Sequence, residues 1–461
     1  MGIAELSNLL PAAVKSIWTR RLPGQVIIQI TDRCNARCPN CGMRVSSAFP
    51  RTGLSMDTIR RVLDAAAANR VAAVSFTGGE PLLRLDDLAE MISHAGAVGI
   101  PFIRTGTNGF FMRPGAGGRE RDTARVSAVA EKLAATPLRN FWISVDSCDP
   151  ETHDRMRGFP GLMSGIEAAL PVFHEHGIFP AANLGVNRNL GGDFTAGLEP
   201  RDFIRRSDYL EEFYRRYTVG LQRFYHRVID MGFTMLNTCY PMSVENGSPG
   251  NLAAVYAATA ADRIVSFDRD EKELLFRILM ETVREFRSRI RVFSPLTSLY
   301  ALYRHYAGEE TTAMTPAGCR GGRDFFFIDA REGDTYPCGY RGHENLGKYW
   351  GMNPDRFSGK SECRRCDWEC FRDPSEQFSA LTGFRRFSGN LLHDKTYRHC
   401  WFSDMAYYRT CDFFDGRQPP GAEKLSRWRR LNLSLFPTEA SGPGAAPGRI
   451  TRFSEQDLFD P

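Results

Sequence analysis

Lysine is scarce in this chain, with seven residues against 52 arginines in a total of 461. The 59 basic residues nearly balance the 54 acidic ones, and the net charge is only +5, spread without a long block of one sign. That excludes the basic arms and stripes that hold nucleic acid through charge alone, so no nucleic-acid partner is expected. The arginine excess reads first as genomic base composition and second as phosphate-binding capacity. Long apolar runs are also missing, and nothing approaches the ~20 residues of a membrane span. Residues 1–21 place Lys15, Arg20 and Arg21 behind their apolar residues and carry no A-x-A site, unlike a secretory signal. The 12 cysteines are therefore expected as thiols or metal ligands in a reducing cytoplasm, not as a disulfide framework.

Hydrophobic residues at 42% and charged residues at 25% are those of an ordinary globular protein, long enough for two or three structural units. Residues 3–18 carry Ile3, Leu6, Leu10, Ala13, Val14 and Ile17 at helical spacing. An N-terminal amphipathic helix over 1–24 is expected to dock on its own domain, with peripheral membrane contact as the minority alternative. From residue 25 short β-rich runs alternate with helical stretches. Strands are expected at 26–30, 71–76, 102–104, 141–145, 179–185 and 233–236, and the first helix is opened by Ser55. Alternation of this kind builds a parallel α/β sheet with chemistry at the C-terminal strand ends. Residues 201–231 read as a helix rich in Tyr, Phe and Arg, either a lid or a covering helix. A further amphipathic helix over 268–290 begins with an Asp268/Glu271 capping-box pattern.

The chemistry is concentrated in Cys34, Cys38 and Cys41, spaced C-x3-C-x2-C directly after the first strand. Three thiolates on one tight loop can hold three irons of a 4Fe-4S cube and leave the fourth iron open to a small molecule. A zinc knuckle is the competing reading, but zinc usually takes four ligands and no fourth Cys or His is near. One βα unit later comes Gly78-Gly79-Glu80-Pro81, glycines for close backbone approach followed by a carboxylate at a strand end.

Together these motifs resemble the radical S-adenosylmethionine (SAM) superfamily. Its cluster motif has an aromatic residue where this chain has Asn40, a position the resemblance sets near the adenine of SAM. The resemblance implies that Gly78, Gly79 and Glu80 meet the methionyl amino group of SAM. It also sets Ser144 and Arg157 at the end of the fourth strand, on SAM and its carboxylate. Thr107 and Asn108 are candidates for the same cavity, with Asn187 and Asn189 after the fifth strand as lesser ones. Cys148 and Cys239 have no partner by spacing and read as buried small residues, with Cys148 near enough to Ser144 to face the cavity as a second reading.

The remaining cysteines gather late in the chain. Cys319 to Cys338 reads C-x13-G-x4-C, and Cys363, Cys366 and Cys370 read C-x2-C-x3-C, followed by Cys400 and Cys411. The pattern resembles the auxiliary-cluster domains called SPASM and twitch, with one SPASM cysteine and its spacer missing. Cys319, Cys338, Cys363 and Cys366 match the one-cluster arrangement. Cys370, Cys400 and Cys411 are candidates for a second auxiliary cluster, and zinc stays open for the C-x2-C-x3-C group.

The expected organisation is thus an α/β fold, a partial (β/α)6 TIM-type barrel over 25–245. A helical bridge over 246–315 would lead to a cysteine-rich auxiliary Fe-S domain over 316–415 and a flexible tail over 416–461. The resemblance implies reductive cleavage of SAM to a 5′-deoxyadenosyl radical, hydrogen abstraction from a small-molecule or peptide substrate, and an oxidation, cross-link or rearrangement. It also implies one or two auxiliary Fe-S clusters and a flavodoxin- or ferredoxin-type reductant. Only about 25 residues precede the first strand, too few for a peptide-leader domain, which favours a small-molecule or lipid-like substrate without excluding a peptide. A non-catalytic iron-sulfur sensor on the same fold is the alternative.

Overall fold

The computed structural model describes residues 21–22, 24–36, 38–39, 41, 51–111, 119–241, 263–309, 317–353, 363–364, 366–411, 417–419 and 421–435. Residues 1–20 and 23 of the expected N-terminal helix, Asn40, and residues 416, 420 and 436–461 of the expected tail lie outside them.

The first six strands are β1 (Gly24–Thr31), β2 (Val71–Gly78), β3 (Phe102–Thr107), β4 (Asn140–Ser144), β5 (Ala181–Gly185) and β6 (Met235–Cys239). They lie side by side in chain order, each parallel to the next. This is the six-unit parallel α/β sheet that the alternating pattern predicts. Between them run α1 (Met56–Ala68), α2 (Leu85–Ala97), α3 (Arg119–Ala134), α4 (Pro150–Arg157), α5 (Leu162–Glu175) and α6 (Arg206–Asp230). Ser55 caps α1, accepting from the Thr58 N–H, and the buried face of α1 is Ile59, Val62, Leu63 and Ala66. Strand β3 runs on to Thr107, beyond the expected end at 104, because Gly106 leaves room for an indole. A Cβ there would stand 2.1 Å from the Trp142 ring.

Helix α6 is the crossover between β5 and β6. It buries Tyr209, Phe213, Tyr217, Phe224 and Tyr225, with Phe213 stacked on Tyr217 at 4.1 Å. The choice between lid and covering helix therefore falls to the covering helix, because its aromatic face belongs to the main core. After it come α7 (Arg269–Phe286), opened by the expected Asp268/Glu271 capping box, and α8 (Leu296–Ala307).

Two features were not visible in the pattern. The bridge contributes a seventh strand, β7 (Arg291–Val292), parallel to β6. The cysteine-rich region adds β8 (Phe325–Ile328), parallel to β1, and β9 (Thr335–Tyr336), antiparallel to β8. The sheet is therefore one nine-stranded layer in the order β7-β6-β5-β4-β3-β2-β1-β8-β9. The late helices α9 (Glu369–Gln377), α10 (Phe384–His393) and α11 (Lys395–Thr410) complete the cover, with α12 (Ala422–Leu435) beyond. Phe387, Tyr397 and Cys400 belong to the main core. Asp404 of α11 accepts from Arg287 at 2.7 Å and from the backbone N–H groups of Leu296 and Thr297 at 3.0 and 2.8 Å. Both charged side chains are fully buried, and the carboxylate caps α8 while it neutralises the guanidinium.

Candidate functional site

The chain leaves β1 at Thr31 and enters the three-cysteine loop, which is laced to the end of β2. The Gly79 N–H donates to Thr31 O and the Glu80 N–H to Arg33 O, each at 2.8 Å. A Cβ at Gly79 would stand 2.0 Å from Arg33 O, and one at Gly78 would stand 2.4 Å from Thr31 O. Glycine is required at both positions because backbone meets backbone there.

Glu80 turns inward, 3% exposed. Its Oε1 accepts from the Leu82 N–H at 3.1 Å and the Thr107 hydroxyl at 2.8 Å, and its Oε2 accepts from the Asn108 N–H at 2.8 Å. Burial raises its pKa, against the lowering effect of these bonds. Three donors occupy three of the roughly four acceptor positions of a carboxylate, leaving one for a ligand. Asn108 continues the chain of contacts. Its amide donates to Asn35 Oδ1 at 2.7 Å and lies 3.8 Å from Cys34 Sγ. The ends of β1, β2 and β3 are thus tied into one unit around the thiols.

From β4, half-buried Ser144 ends the strand and Asp146 follows it. Arg157 lies in the last turn of α4, which Asp149 caps and Gly158 ends at φ 78°. Arg157, which the resemblance set at the end of the fourth strand, stands instead at the end of a helix, since Asp149-Pro150 starts one and a glycine in the left-handed region stops it. Arg157 grips Asp146 through Nε and Nη2 at 2.6 and 2.9 Å, and its Nη1 lies 3.8 Å from Cys38 Sγ.

His153, on the buried side of α4, accepts the Asp146 N–H at Nδ1. Burial pushes its pKa down from 6.5 to about 4. The unfolded chain binds more protons than the folded one between those values, so stability falls as pH drops through that window. The expected loss is roughly 2 kcal/mol at pH 5 and reaches about 3 kcal/mol only below the folded value. Urea unfolding of wild type and His153→Asn at pH 7 and pH 5 checks it. The variant keeps an acceptor for Asp146 and is expected to lose the part of the acid sensitivity that His153 causes.

The thiols of Cys34, Cys38 and Cys41 lie close enough that each disfavours a negative charge on the next. Burial pushes Cys34 up to about 11 and raises Cys38, so only a bound cation makes three thiolates comfortable together. Among the described residues no three Cys, His, Asp or Glu side chains converge to the spacing of one metal ion. A cube spreads its thiolates more widely than a single tetrahedral ion does, and the soft donor set suits iron and sulfide.

Four of the later cysteines lie near one another. Cys319 and Cys363 face each other across an antiparallel bridge, with N–H···O distances of 2.8 and 3.3 Å. Gly333, at φ 71°, makes the β8–β9 turn, where Asp329 Oδ1 accepts three successive N–H groups. The turn returns the chain so that Cys338 feels both Cys319 and Cys363, while Cys366 feels all three. Burial pushes Cys319 up to about 11 and Cys338 up to about 12.

The other three cysteines are not brought together. Cys370 starts α9, where its thiol donates to Glu369 Oε1 at 3.3 Å. Cys400 is buried in the main core, and Cys411 caps α11 beside Tyr407 and Trp428. Eleven residues along that helix separate Cys400 and Cys411 by about 16 Å, too far for one cube. This corrects the expectation that they share a second cluster with Cys370. Asn187 and Asn189 form a turn. The Asn187 amide donates to Asp146 O and Gly185 O and its Oδ1 accepts from the Asn189 N–H, which is scaffolding for the β5 end. Cys148 packs against the main core, in accord with the reading as a small apolar residue.

Because β1 and β8 are parallel, Cys34 lies past the C-terminal end of one and Cys319 before the N-terminal end of the other. The two thiol groups stand at opposite ends of one sheet. Between them lies a polar set that the spacing arguments passed over, namely Ser75, Arg104, Asn183, Asn237, Cys239 and Glu369. Arg104 bonds the Ser75 hydroxyl, the Asn237 amide donates to Asn183 Oδ1 at 2.7 Å, and the Cys239 thiol points to the same oxygen at 3.4 Å. A visible signal was polar residues at alternate positions of strands expected to be apolar on both faces.

Residues 28–192 match the model of the radical SAM superfamily. The AdoMet-dependent heme synthase of Methanosarcina barkeri is 27% identical over 153 residues, 33% of this chain and 40% of that protein. The PqqA peptide cyclase of Xanthomonas campestris pv. campestris is 29% identical over 167 residues, 36% of this chain and 40% of that protein. Among solved structures, SuiB of Streptococcus suis bound to the precursor peptide SuiA has a TM-score of 0.48 at 14% identity, covering 78% of this chain and 71% of that one. The chain spans less than half the length of the curated relatives named here. The three-cysteine loop and the Gly78-Gly79-Glu80 lacing both lie inside the region, residues 28–192, that is similar to the radical SAM superfamily.

Proposed function

We propose that this protein is a radical SAM enzyme that starts chemistry on a polar substrate held between its two thiol groups. The observation that carries the reading is the closed network Cys34–Asn108–Glu80–Arg33. It fixes the three-cysteine loop and leaves one carboxylate acceptor position beside it. Cys34, Cys38 and Cys41 would hold a 4Fe-4S cluster, with SAM beside Gly78, Gly79, Glu80 and Ser144. When bound, the cluster supplies the electron that cleaves SAM to methionine and a 5′-deoxyadenosyl radical, which takes a hydrogen atom from substrate. Gly79 and Glu80 orient the loop, Glu80 offers an acceptor to an ammonium group, and Asp146 keeps the Arg157 cation at Cys38.

Cys319, Cys338, Cys363 and Cys366 would hold an auxiliary Fe-S cluster at the far end of the sheet. The substrate is a peptide or a small molecule rich in hydrogen-bonding groups, to match Arg104, Asn183 and Asn237. The PqqA peptide cyclase lends weight to a peptide. A flavodoxin- or ferredoxin-type protein would supply electrons. Among the described residues no helix is long and apolar enough to cross a membrane, and cytoplasmic work is proposed. The test is anaerobic reconstitution with iron and sulfide, reduction by dithionite, and chromatography for SAM binding and 5′-deoxyadenosine. Binding and cleavage are expected. Iron-replete protein that neither binds nor cleaves SAM would leave the iron-sulfur sensor as the better reading.

A further inference from the structure

Among the described residues, buried Arg287, Arg304 and Arg320 each have a carboxylate, and buried Arg291 is held by the carbonyls of Cys411 and Gln418 at 2.8 Å each. Arg372, beside the four-cysteine site, has neither a carboxylate nor such a pair of carbonyls. Arg287 pairs with Asp404 at 2.7 Å, Arg304 with Asp394 at 2.8 Å, and Arg320 with Asp324. Arg372, on α9 and 6% exposed, has no carboxylate at ion-pair distance among the described residues, and its Nη1 donates only to Ala317 O, at 3.4 Å. The two nearest carboxylates are occupied. Asp367 takes Lys272 at 2.9 Å and the Tyr306 hydroxyl at 2.6 Å, while Glu376 takes the Ala317 N–H at 2.5 Å and the Tyr397 hydroxyl at 2.7 Å. What Arg372 does stand beside are the thiols of Cys319 and Cys366.

A guanidinium stays charged when buried, and a buried unpaired charge is strongly unfavourable. Its missing partner is therefore an anion at the thiols. Four thiolates around iron and sulfide leave a net negative charge, and the site becomes more negative by one unit when it takes an electron. We propose that Arg372 is the counter-cation of the loaded four-cysteine site and raises its reduction potential, suiting that site to accept an electron from substrate. The inference rests on the reading of Cys319, Cys338, Cys363 and Cys366 as an iron-sulfur site. Arg341, the other nearby cation, already has Glu344 on both arms of its guanidinium and so contributes less net charge. Arg372 acts here as a positioning residue for charge and needs no contact with substrate.

The experiment separates the two claims. In the full chain, Cys34→Ala, Cys38→Ala and Cys41→Ala together leave only the late cysteines to bind iron. That protein, reconstituted anaerobically, is followed by iron and sulfide content, absorbance and an electron-paramagnetic-resonance redox titration. It is expected to keep a thiolate-ligated cluster. Adding Arg372→Met is expected to shift the midpoint potential to more negative values at unchanged iron content, and Arg372→Lys to recover most of the shift. An unchanged potential in the methionine variant with full iron overturns the inference. Loss of all iron from the triple variant, or zinc in its place, overturns the cluster reading instead. Should the methionine variant not fold, Arg372→Gln, which keeps a donor for Ala317 O, carries the same comparison.

Discussion

Cys38→Ala is expected to abolish 5′-deoxyadenosine formation and to remove about four irons per chain, leaving the auxiliary iron in place. Two thiolates from Cys34 and Cys41 cannot retain a cube whose fourth iron already lacks a protein ligand. The variant also removes the sulfur that Arg157 approaches at 3.8 Å, so that cation keeps Asp146 alone and the loop loses its tie to α4. The measurement is iron and sulfide content with product chromatography on wild type, Cys38→Ala and Cys148→Ala. Cys148 packs against the main core away from the loop, and its variant should match wild type on both readouts. Equal iron and equal product from Cys38→Ala would remove the three-cysteine loop from the chemistry.

Much of this site was legible because its chemistry is local in sequence. Cys34, Cys38 and Cys41 sit on one loop, Gly78-Gly79-Glu80 on one turn, and the Gly333 turn between Cys319 and Cys338 follows from a single spacing. Strand and helix alternation also carried the order of the first six strands, because parallel neighbours in chain order are the simplest right-handed winding. What stayed hidden depends on contacts between distant segments. Nothing in the four residues Phe325–Ile328 says that they will pair with β1 some 300 positions earlier. Arg372 looks like any helix arginine until its neighbours are seen to be occupied. Cys400 and Cys411 looked like ligands because cysteine spacing alone is blind to the helix that holds them apart. The Arg157 helix was missed for a different reason. Its eight residues are too few for an apolar period to show, and only the Asp149-Pro150 start and Gly158 stop could have announced it.

The two thiol groups are held by one sheet, and this bears on how charge and substrate are arranged. Register Gln25↔Phe325 through Ile28↔Ile328 makes β1 and β8 adjacent strands, so the separation of the groups is set by backbone hydrogen bonds. The polar residues between them come from β2, β3, β5, β6 and α9, and Glu369 Oε2 is buried there without a hydrogen-bond partner.

Gly79→Ala is expected to cost as much activity as loss of a cysteine while every ligand remains in the chain. The added methyl would stand 2.0 Å from Arg33 O and 2.4 Å from Arg33 C, both backbone atoms. No rotamer relieves that overlap. The loop must move by about 1 Å or more to reach an ordinary contact, which breaks the Gly79 N–H to Thr31 O and Glu80 N–H to Arg33 O bonds. Two buried backbone bonds and local strain amount to about 3–5 kcal/mol, the upper range for a point substitution. The displacement travels further, since Glu80 holds Thr107 and Asn108, and Asn108 holds Asn35 beside Cys34. Iron content is therefore expected to fall only in part, SAM affinity by at least about 100-fold, equivalent to some 2.7 kcal/mol, and 5′-deoxyadenosine formation to background. Equilibrium dialysis with labelled SAM on reconstituted Gly79→Ala tests this directly. Wild-type SAM affinity in that variant would show that the β2 turn tolerates the shift and that the loop is positioned by Arg157 and Asp146 instead.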